Sequence, residues 1–293
     1  MITQHRIVAG LGELTLTVSS VSHVGKVREV NEDALIAEPP VFAVADGMGG
    51  HAFGDRASAT AVLALHEEFD PTVPTEPGHM LTAIRRANAA VRELTAWAGD
   101  DRVIAGTTLA GVALVVEHPA VIPHWMVFNL GDSRVYRWDT TAVVPRLERV
   151  SVDHSVVQEL LDAGLIDENA VRTHPDRNVV TRALGASDEV APEAWILPAA
   201  QPQTFLICSD GLTKELDDER IARLLGAGDP TSAVDRLLEA ALDAGGRDNV
   251  TIVLVQATYR GAVSVNAEGP EPIDEQTRDR ALSPELDDTR PRL

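Results

Sequence analysis

The sequence predicts an α+β fold in which helices cover two packed, mainly antiparallel sheets. Three observations carry this. Strand-like runs come first, then two long helical patterns, more strands, and finally helices with a closing strand, unlike the regular strand–helix alternation of a doubly wound parallel sheet. The run WMVFNLGDSRVYRW reads as a hairpin turning at Gly131-Asp132, so neighbouring strands run antiparallel. A hydrophobic fraction of 44% over 293 residues supplies a sizeable core, and no internal repeat is present.

In chain order, LTLTVSSV at 14–21 and ALIA at 34–37 read as strands. VFAVA at 41–45 is continuously apolar and reads as a buried strand; Gly47, Gly49 and Gly50 break it, so Asp46 sits where the strand leaves the core. GDRASATAVLALHEEF (54–69) spaces Ala57, Ala61, Leu63 and Leu65 as a helix does, and MLTAIRRANAAVRELTAWA (80–98) continues likewise. Strands follow at 107–116, 125–130 and 133–138, then a helix at 154–163 and a strand at 204–208. Helices at 217–225 and 231–243 precede the closing strand at 250–258; the second helix opens on Asp229-Pro230, a cap with proline in the first turn. Residues 261–293 hold four prolines, many charges and few apolar side chains. They read as a disordered acidic tail behind a folded domain at 1–260, because so little apolar surface cannot offset the entropy of ordering.

The formal net charge of −20 argues against nucleic acid as a partner, since a phosphate backbone needs a basic surface. It leaves room for a phosphorylated protein if positive charge gathers locally. Only Lys26 and Lys214 are lysines; the other basic side chains are arginines. No apolar run reaches membrane-spanning length, and even TLAGVALVVE stops at Glu117. The first residues, MITQHRIVAGLGEL, lack a long apolar segment and a clear cleavage site, so no signal peptide is expected. Cys208 is the only cysteine, which excludes an internal disulfide framework. Together these features predict a cytoplasmic protein with no membrane association.

Several acidic residues share one setting. Asp46 follows VFAVA, Asp132 follows VFNLG, Asp210 follows TFLICS, Asp248 precedes NVTIVLV, and Glu32 with Asp33 leads into ALIA. Any one of them is more simply a solvated turn. Five such places in one domain favour convergence. Two carboxylates about 4 Å apart repel by roughly 4 kcal/mol at an effective dielectric near 20, so a cluster needs protons or cations. An oxygen-only donor set favours Mg²⁺ or Mn²⁺ over Zn²⁺. Arg28, just upstream of Glu32 and Asp33, is either a salt-bridge partner or an anion clamp whose fork suits phosphate oxygens.

GKVREVNEDA, VFAVADGMGGHAFGDRAS, AGTTLAGVAL, NLGDSRVYRW, LICSDGL and GGRDNVTIVLV resemble, in order, the motifs of metal-dependent protein phosphatases of the 2C type, with the bacterial serine/threonine branch the nearest. The match runs over roughly residues 16–257. The resemblance implies a four-layer α-β-β-α sandwich with a centre of two Mn²⁺ or Mg²⁺ ions at one end, and a third ion in bacterial members. By position, Asp46 is similar to the carboxylate that bridges both ions and Gly47 to the residue that lends one of them its carbonyl. Asp210 and Asp248 resemble ligands of the other ion, and Asp132 the residue that holds the third ion with Asp210. Glu32 and Asp33 resemble groups binding the water on the metals, and Arg28 the phosphate clamp. Residues 163–185 resemble the family's flap, where substrate selection occurs.

The activity implied is hydrolysis of phosphoserine and phosphothreonine by in-line attack of a metal-bound hydroxide, without a phosphoenzyme. The implied partners are phosphorylated proteins, among them serine/threonine kinases and their substrates, met by a monomeric enzyme. One departure stands out: eukaryotic relatives have a proton-donating histidine where this chain has Met48, and a thioether donates no proton. A metal-bound water is the first candidate for that acid, ahead of His51. Cys208 lacks an arginine six residues on, where Lys214 stands, which disfavours a cysteine phosphatase; no HExxH supports a zinc hydrolase. The competing readings are a pseudophosphatase that binds phosphoproteins without turnover, and a phosphatase dedicated to one partner-switching pathway.

Overall fold

Alternation of side chains along the strands builds the layers. The computed structural model describes residues 1–9, 12–49, 53–97, 105–116, 122–140, 144–199 and 201–261. The predicted tail, save Gly261 at the end of the last strand, and His51 lie outside the described residues. In chain order the strands and helices are β1 (Ile2–Ala9), β2 (Gly12–His23), β3 (Asp33–Glu38), β4 (Val41–Met48), α1 (Gly54–His66), α2 (Pro77–Trp97), β5 (Gly106–Thr107), β6 (Leu109–Val116), β7 (Pro123–Leu130) and β8 (Arg134–Asp139). Then come β9 (Arg146–Arg149), α3 (Val156–Asp162), α4 (Glu168–Val171), β10 (Glu193–Pro198), β11 (Gln203–Cys208), α5 (Asp210–Thr213), α6 (Asp218–Leu225), α7 (Ala233–Ala244) and β12 (Val250–Gly261).

The first sheet has the order β1-β2-β12-β11-β8-β9, the second β10-β7-β6-β4-β3 with β5 beside β4, and every strand pair is antiparallel. Along β4, Phe42 and Val44 face the first sheet and pack with Leu16, Trp125, Phe205 and Val253. Val41, Ala43 and Ala45 face the other way, against Ala57, Ala61 and Leu65 of α1 and Ile84 of α2. On the far side of the first sheet, Leu206, Ile252 and Leu254 pack under Leu212, Ile221 and Leu237 from α5, α6 and α7. These are the four α-β-β-α layers. The period-2 strand pattern dictates them, since each central strand has one face for each neighbouring layer.

Three local expectations are corrected. WMVFNLGDSRVYRW is not a hairpin: β7 pairs with β6 and β10 in the second sheet, while β8 pairs with β11 and β9 in the first. The chain crosses between the sheets at Gly131, whose φ of +104° suits glycine and whose Cβ, if present, would lie 2.6 Å from Thr108 Cγ2. Gly47 does not break β4, which continues to Met48 and pairs Gly47 with Thr107 and Met48 with Gly106. Asp46 is therefore inside the strand. The Asp229 side chain does accept from the Thr231 N–H (3.1 Å), but it caps a 3₁₀ turn at Pro230–Ser232 that leads into α7. Cys208 is fully buried, as its place at the end of an apolar strand suggests.

Candidate metal centre

At one end of the sandwich both sheets deliver carboxylates. The register of β3 and β4 sets Asp33 directly opposite Asp46. The Asp46 backbone is clamped from both sides: its N–H donates to Thr108 Oγ1 (2.9 Å), and its carbonyl accepts from the Thr108 N–H (2.9 Å) and Thr107 Oγ1 (3.0 Å). Thr108 Oγ1 in turn lies 2.8 Å from Ser133 Oγ, next to Asp132 at the crossing between sheets. The crossing is held by His154, whose Nδ1 accepts from the Gly131 N–H (3.2 Å), and by Asn129 Nδ2, which donates to the Gly131 carbonyl (3.0 Å). Gly47 must be bare: an added Cβ would meet the Gly54 carbonyl oxygen at 2.0 Å.

Asp210 and Asp248 come from the first sheet. Asp210 opens α5 immediately beyond β11, and Asp248 stands just before β12, the neighbouring strand. The two chain segments touch where Gly211 lies against the Asn249 carbonyl oxygen, only 1.9 Å from where a Cβ would be. Ser209 joins the sheets: its Oγ donates to Asp33 Oδ2 (2.8 Å) and accepts from the Thr251 N–H (3.0 Å). Arg247 anchors the approach to Asp248 through a fork on buried Glu215 (Nε 2.9 Å, Nη2 2.8 Å).

The loop between β2 and β3 carries Arg28 and Glu32. Asn249, 5% exposed, fastens it: Oδ1 accepts from the Glu32 N–H (2.8 Å), and Nδ2 donates to the carbonyls of Val24 and Val30 (2.9 Å each). Of the two options for Arg28, the structure displays the salt bridge, with Nε 2.9 Å from Asp248 Oδ1 and Nη2 3.1 Å from Oδ2. Glu32 Oε2 is 4.0 Å from the same guanidinium. The flap region meets the centre through its C-terminal end, where Leu184 and Thr107 exchange backbone hydrogen bonds of 2.9 and 3.1 Å.

Electrostatics tie the acidic group together. Burial pushes Asp46 well above the usual carboxylate range, and Asp210, Asp33 and Asp132 add repulsion. Burial raises Asp132 to about 8, with Asp210 adding to it and Lys214 opposing. Asp33 rises to about 7, again from burial first, despite hydrogen bonds from Thr251 and Ser209. Asp248 goes the other way. Burial would raise it, but Lys214 and Arg28 hold it below the ordinary value.

Sequence reasoning named Glu32, Asp33, Asp46, Asp132, Asp210 and Asp248 but missed Lys214, Glu215, Asn249 and Ser209. Lys214 Nζ lies 2.5 Å from Asp210 Oδ2 and 3.0 Å from Asp248 Oδ2. The available signal was its position four residues after Asp210, one helical turn on.

The protein phosphatase 2C family model matches residues 23–244, three-quarters of the chain. The chain belongs to that family. Among curated relatives it is 34% identical over 246 residues to the serine/threonine protein phosphatase PstP of Mycobacterium tuberculosis, covering 82% of this chain and 45% of that protein. It is 32% identical over 240 residues to the serine/threonine phosphatase stp of Listeria monocytogenes, covering 79% of this chain and 92% of that one. The chain thus spans about half the length of the mycobacterial relative. Among solved structures it is similar to the phosphatase MsPP of Mycobacterium smegmatis in complex with cacodylate (TM-score 0.70, 37% identity, 81% of this chain and 97% of that one). It is also similar to the catalytic domain of PstP in complex with two manganese ions (TM-score 0.72, 30% identity, 84% and 99%). The two antiparallel sheets and flanking helices are the architecture of this protein phosphatase 2C fold.

The centre fits the divalent ions that the family implies. Asp33 Oδ1 and Asp210 Oδ1 are buried with no hydrogen-bond partner, and carboxylate oxygens are the donors that such hard ions take. A self-repelling acidic group with spare oxygens is what a hard cation would relieve. Among the described residues, no three such donors are already drawn round a single point. Lys214 and Arg28 instead hold the Asp210–Asp248 side of the centre.

Proposed function

We propose that this protein phosphatase 2C member hydrolyses phosphoserine and phosphothreonine in proteins, in a reaction that depends on Mn²⁺ or Mg²⁺. The observation that carries the reading is the convergence of Asp33, Asp132 and Asp210 on Asp46 at one end of the sandwich, where each adds to the repulsion on its buried carboxylate, with two buried oxygens unpaired. Asp46 with the Gly47 carbonyl, Asp210 with Asp248, and Asp132 with Asp210 are the residues that would hold two core ions and a third. Divalent ions bound there supply charge neutralisation at the phosphoryl oxygens and activate water for in-line attack.

The chain's own residues do the rest. Arg28 offers a planar fork at the mouth, with its side chain 48% exposed, and can trade Asp248 for phosphate oxygens. Glu32 and Asp33 would hold and orient water by accepting hydrogen bonds from it. Met48 contributes no proton to the leaving alcohol. We assign the catalytic unit to residues 1–260 and place its action on phosphorylated proteins, kinases and kinase substrates among them, in the cytoplasm. Among the described residues no helix is long and apolar enough to cross a membrane.

The test is p-nitrophenyl phosphate turnover with and without Mn²⁺, for the full chain, a chain ending at residue 260, and Asp210→Asn. Mn²⁺-dependent turnover that survives truncation and falls at least about 100-fold in Asp210→Asn is expected, since charge-stabilising groups of this kind carry such factors. Metal-independent turnover, or an undiminished Asp210→Asn, would refute the reading.

A further inference from the structure

Asp248 is saturated. Its Oδ1 accepts from Arg28 Nε (2.9 Å) and the Asn249 N–H (3.0 Å), and its Oδ2 from Arg28 Nη2 (3.1 Å) and Lys214 Nζ (3.0 Å). A carboxylate has about four lone-pair sites, so no direction is left for another partner. Asp210 differs: Oδ2 takes Lys214 Nζ at 2.5 Å while Oδ1 is buried without a partner. One ammonium therefore bridges the two carboxylates read above as ligands of the same ion. A Mg²⁺ ion bonds its oxygens at about 2.0–2.1 Å, so an ion drawn between these two oxygens would take the space that Nζ fills.

We propose that Lys214 is a built-in counterion that the divalent ion must displace, and that it thereby sets the centre's metal affinity. This rests on the reading of Asp210 and Asp248 as metal ligands. Lys214 is better suited to leave than Arg28. It carries a compact charge on a flexible four-carbon stem, whereas Arg28 grips Asp248 with a rigid two-point fork. Its side chain is 35% exposed, so the displaced ammonium has solvent to enter. It follows α5 directly, and its Nζ reaches back one turn to the Asp210 carboxylate. It is one of only two lysines in a chain whose other basic side chains are arginines. Without metal, the lysine together with Arg28 balances the two negative charges of the Asp210–Asp248 pair. With metal, the same charge is a competitor.

The experiment is calorimetric titration of Mn²⁺ into the full wild-type chain, Lys214→Gln and Lys214→Arg, with thermal melting of each in EDTA. Lys214→Gln should bind Mn²⁺ about tenfold more tightly, a gain of about 1.4 kcal/mol. The same variant should melt below wild type in EDTA and gain more from Mn²⁺. Lys214→Arg, which keeps the charge on a less easily displaced fork, should bind Mn²⁺ no more tightly than wild type. Unchanged or weaker Mn²⁺ binding by Lys214→Gln overturns the proposal, as does an unchanged melting point in EDTA or an arginine variant that behaves like the glutamine one. A Lys214→Gln chain that folds only with Mn²⁺ supports it; one that folds in neither condition overturns it. Wild type that binds no Mn²⁺ sinks the ligand assignment as well, whereas wild-type binding with an unresponsive Lys214→Gln sinks the counterion alone.

Discussion

Asn249→Ala should cost both stability and turnover, and the structure sets the scale of each. The amide makes three hydrogen bonds to the β2–β3 loop, one from the Glu32 N–H and two to the carbonyls of Val24 and Val30. At a net value of about 1 kcal/mol each, their loss removes roughly 3 kcal/mol. For a domain of this size 1 kcal/mol moves the melting point by about 2–4 °C, so a fall of roughly 6–12 °C is expected. The same loop carries Arg28, and a misplacement of about 1 Å in a positioning group can cost on the order of 100-fold in rate. Circular dichroism melting and Mn²⁺-dependent p-nitrophenyl phosphate hydrolysis measure the two effects. A melting point within about 2 °C of wild type would refute the energetic argument. A large drop in melting point with wild-type turnover would show that the loop's attachment does not position Arg28.

Two further outcomes follow from the same end of the molecule. Gly211→Ala would place a Cβ 1.9 Å from a backbone oxygen that cannot rotate away, forcing the start of α5 from the start of β12 and parting Asp210 from Asp248. Calorimetry should show Mn²⁺ affinity reduced about tenfold or more, and wild-type affinity would contradict the packing argument. In EDTA the protein should lose stability as pH rises from about 4 to 8. Asp33 at about 7 and Asp132 at about 8 hold their protons when folded and release them near 3.9 when unfolded, so the folded state binds more protons throughout that window. Melting points that rise with pH in EDTA would have the wrong sign; added Mn²⁺ should flatten the trend.

What could be read from the sequence divides along physical lines. The central strands β4, β6, β7, β11 and β12 are covered on both faces, and their continuous apolar runs announce them. β1, β9 and β10 escaped notice because each is an edge strand, and RLER in β9 carries three charges in four residues. The crossing at Gly131 was misread as a hairpin because two strands joined by a short glycine turn look alike whether they pair or part. Their fate depends on which layers cover their faces, a tertiary matter. The carboxylates were legible because each borders an apolar run. Ser209 and Asn249 were not, because single polar residues beside a strand carry no period of their own, and the i,i+4 spacing of Lys214 from Asp210 is too common to mark a site. Only the fold reveals that one lysine reaches two aspartates contributed by different segments.

The crossing at Gly131 has one more consequence. Asp33 and Asp46 ride on the second sheet, Asp210 and Asp248 on the first, and Asp132 on the strap between them. Any slip of one sheet over the other would spread these oxygens apart before it exposed much of the apolar interior. On the proposed reading, the ion site would be a gauge of how the two sheets are seated, and cation affinity would report a correctly closed sandwich.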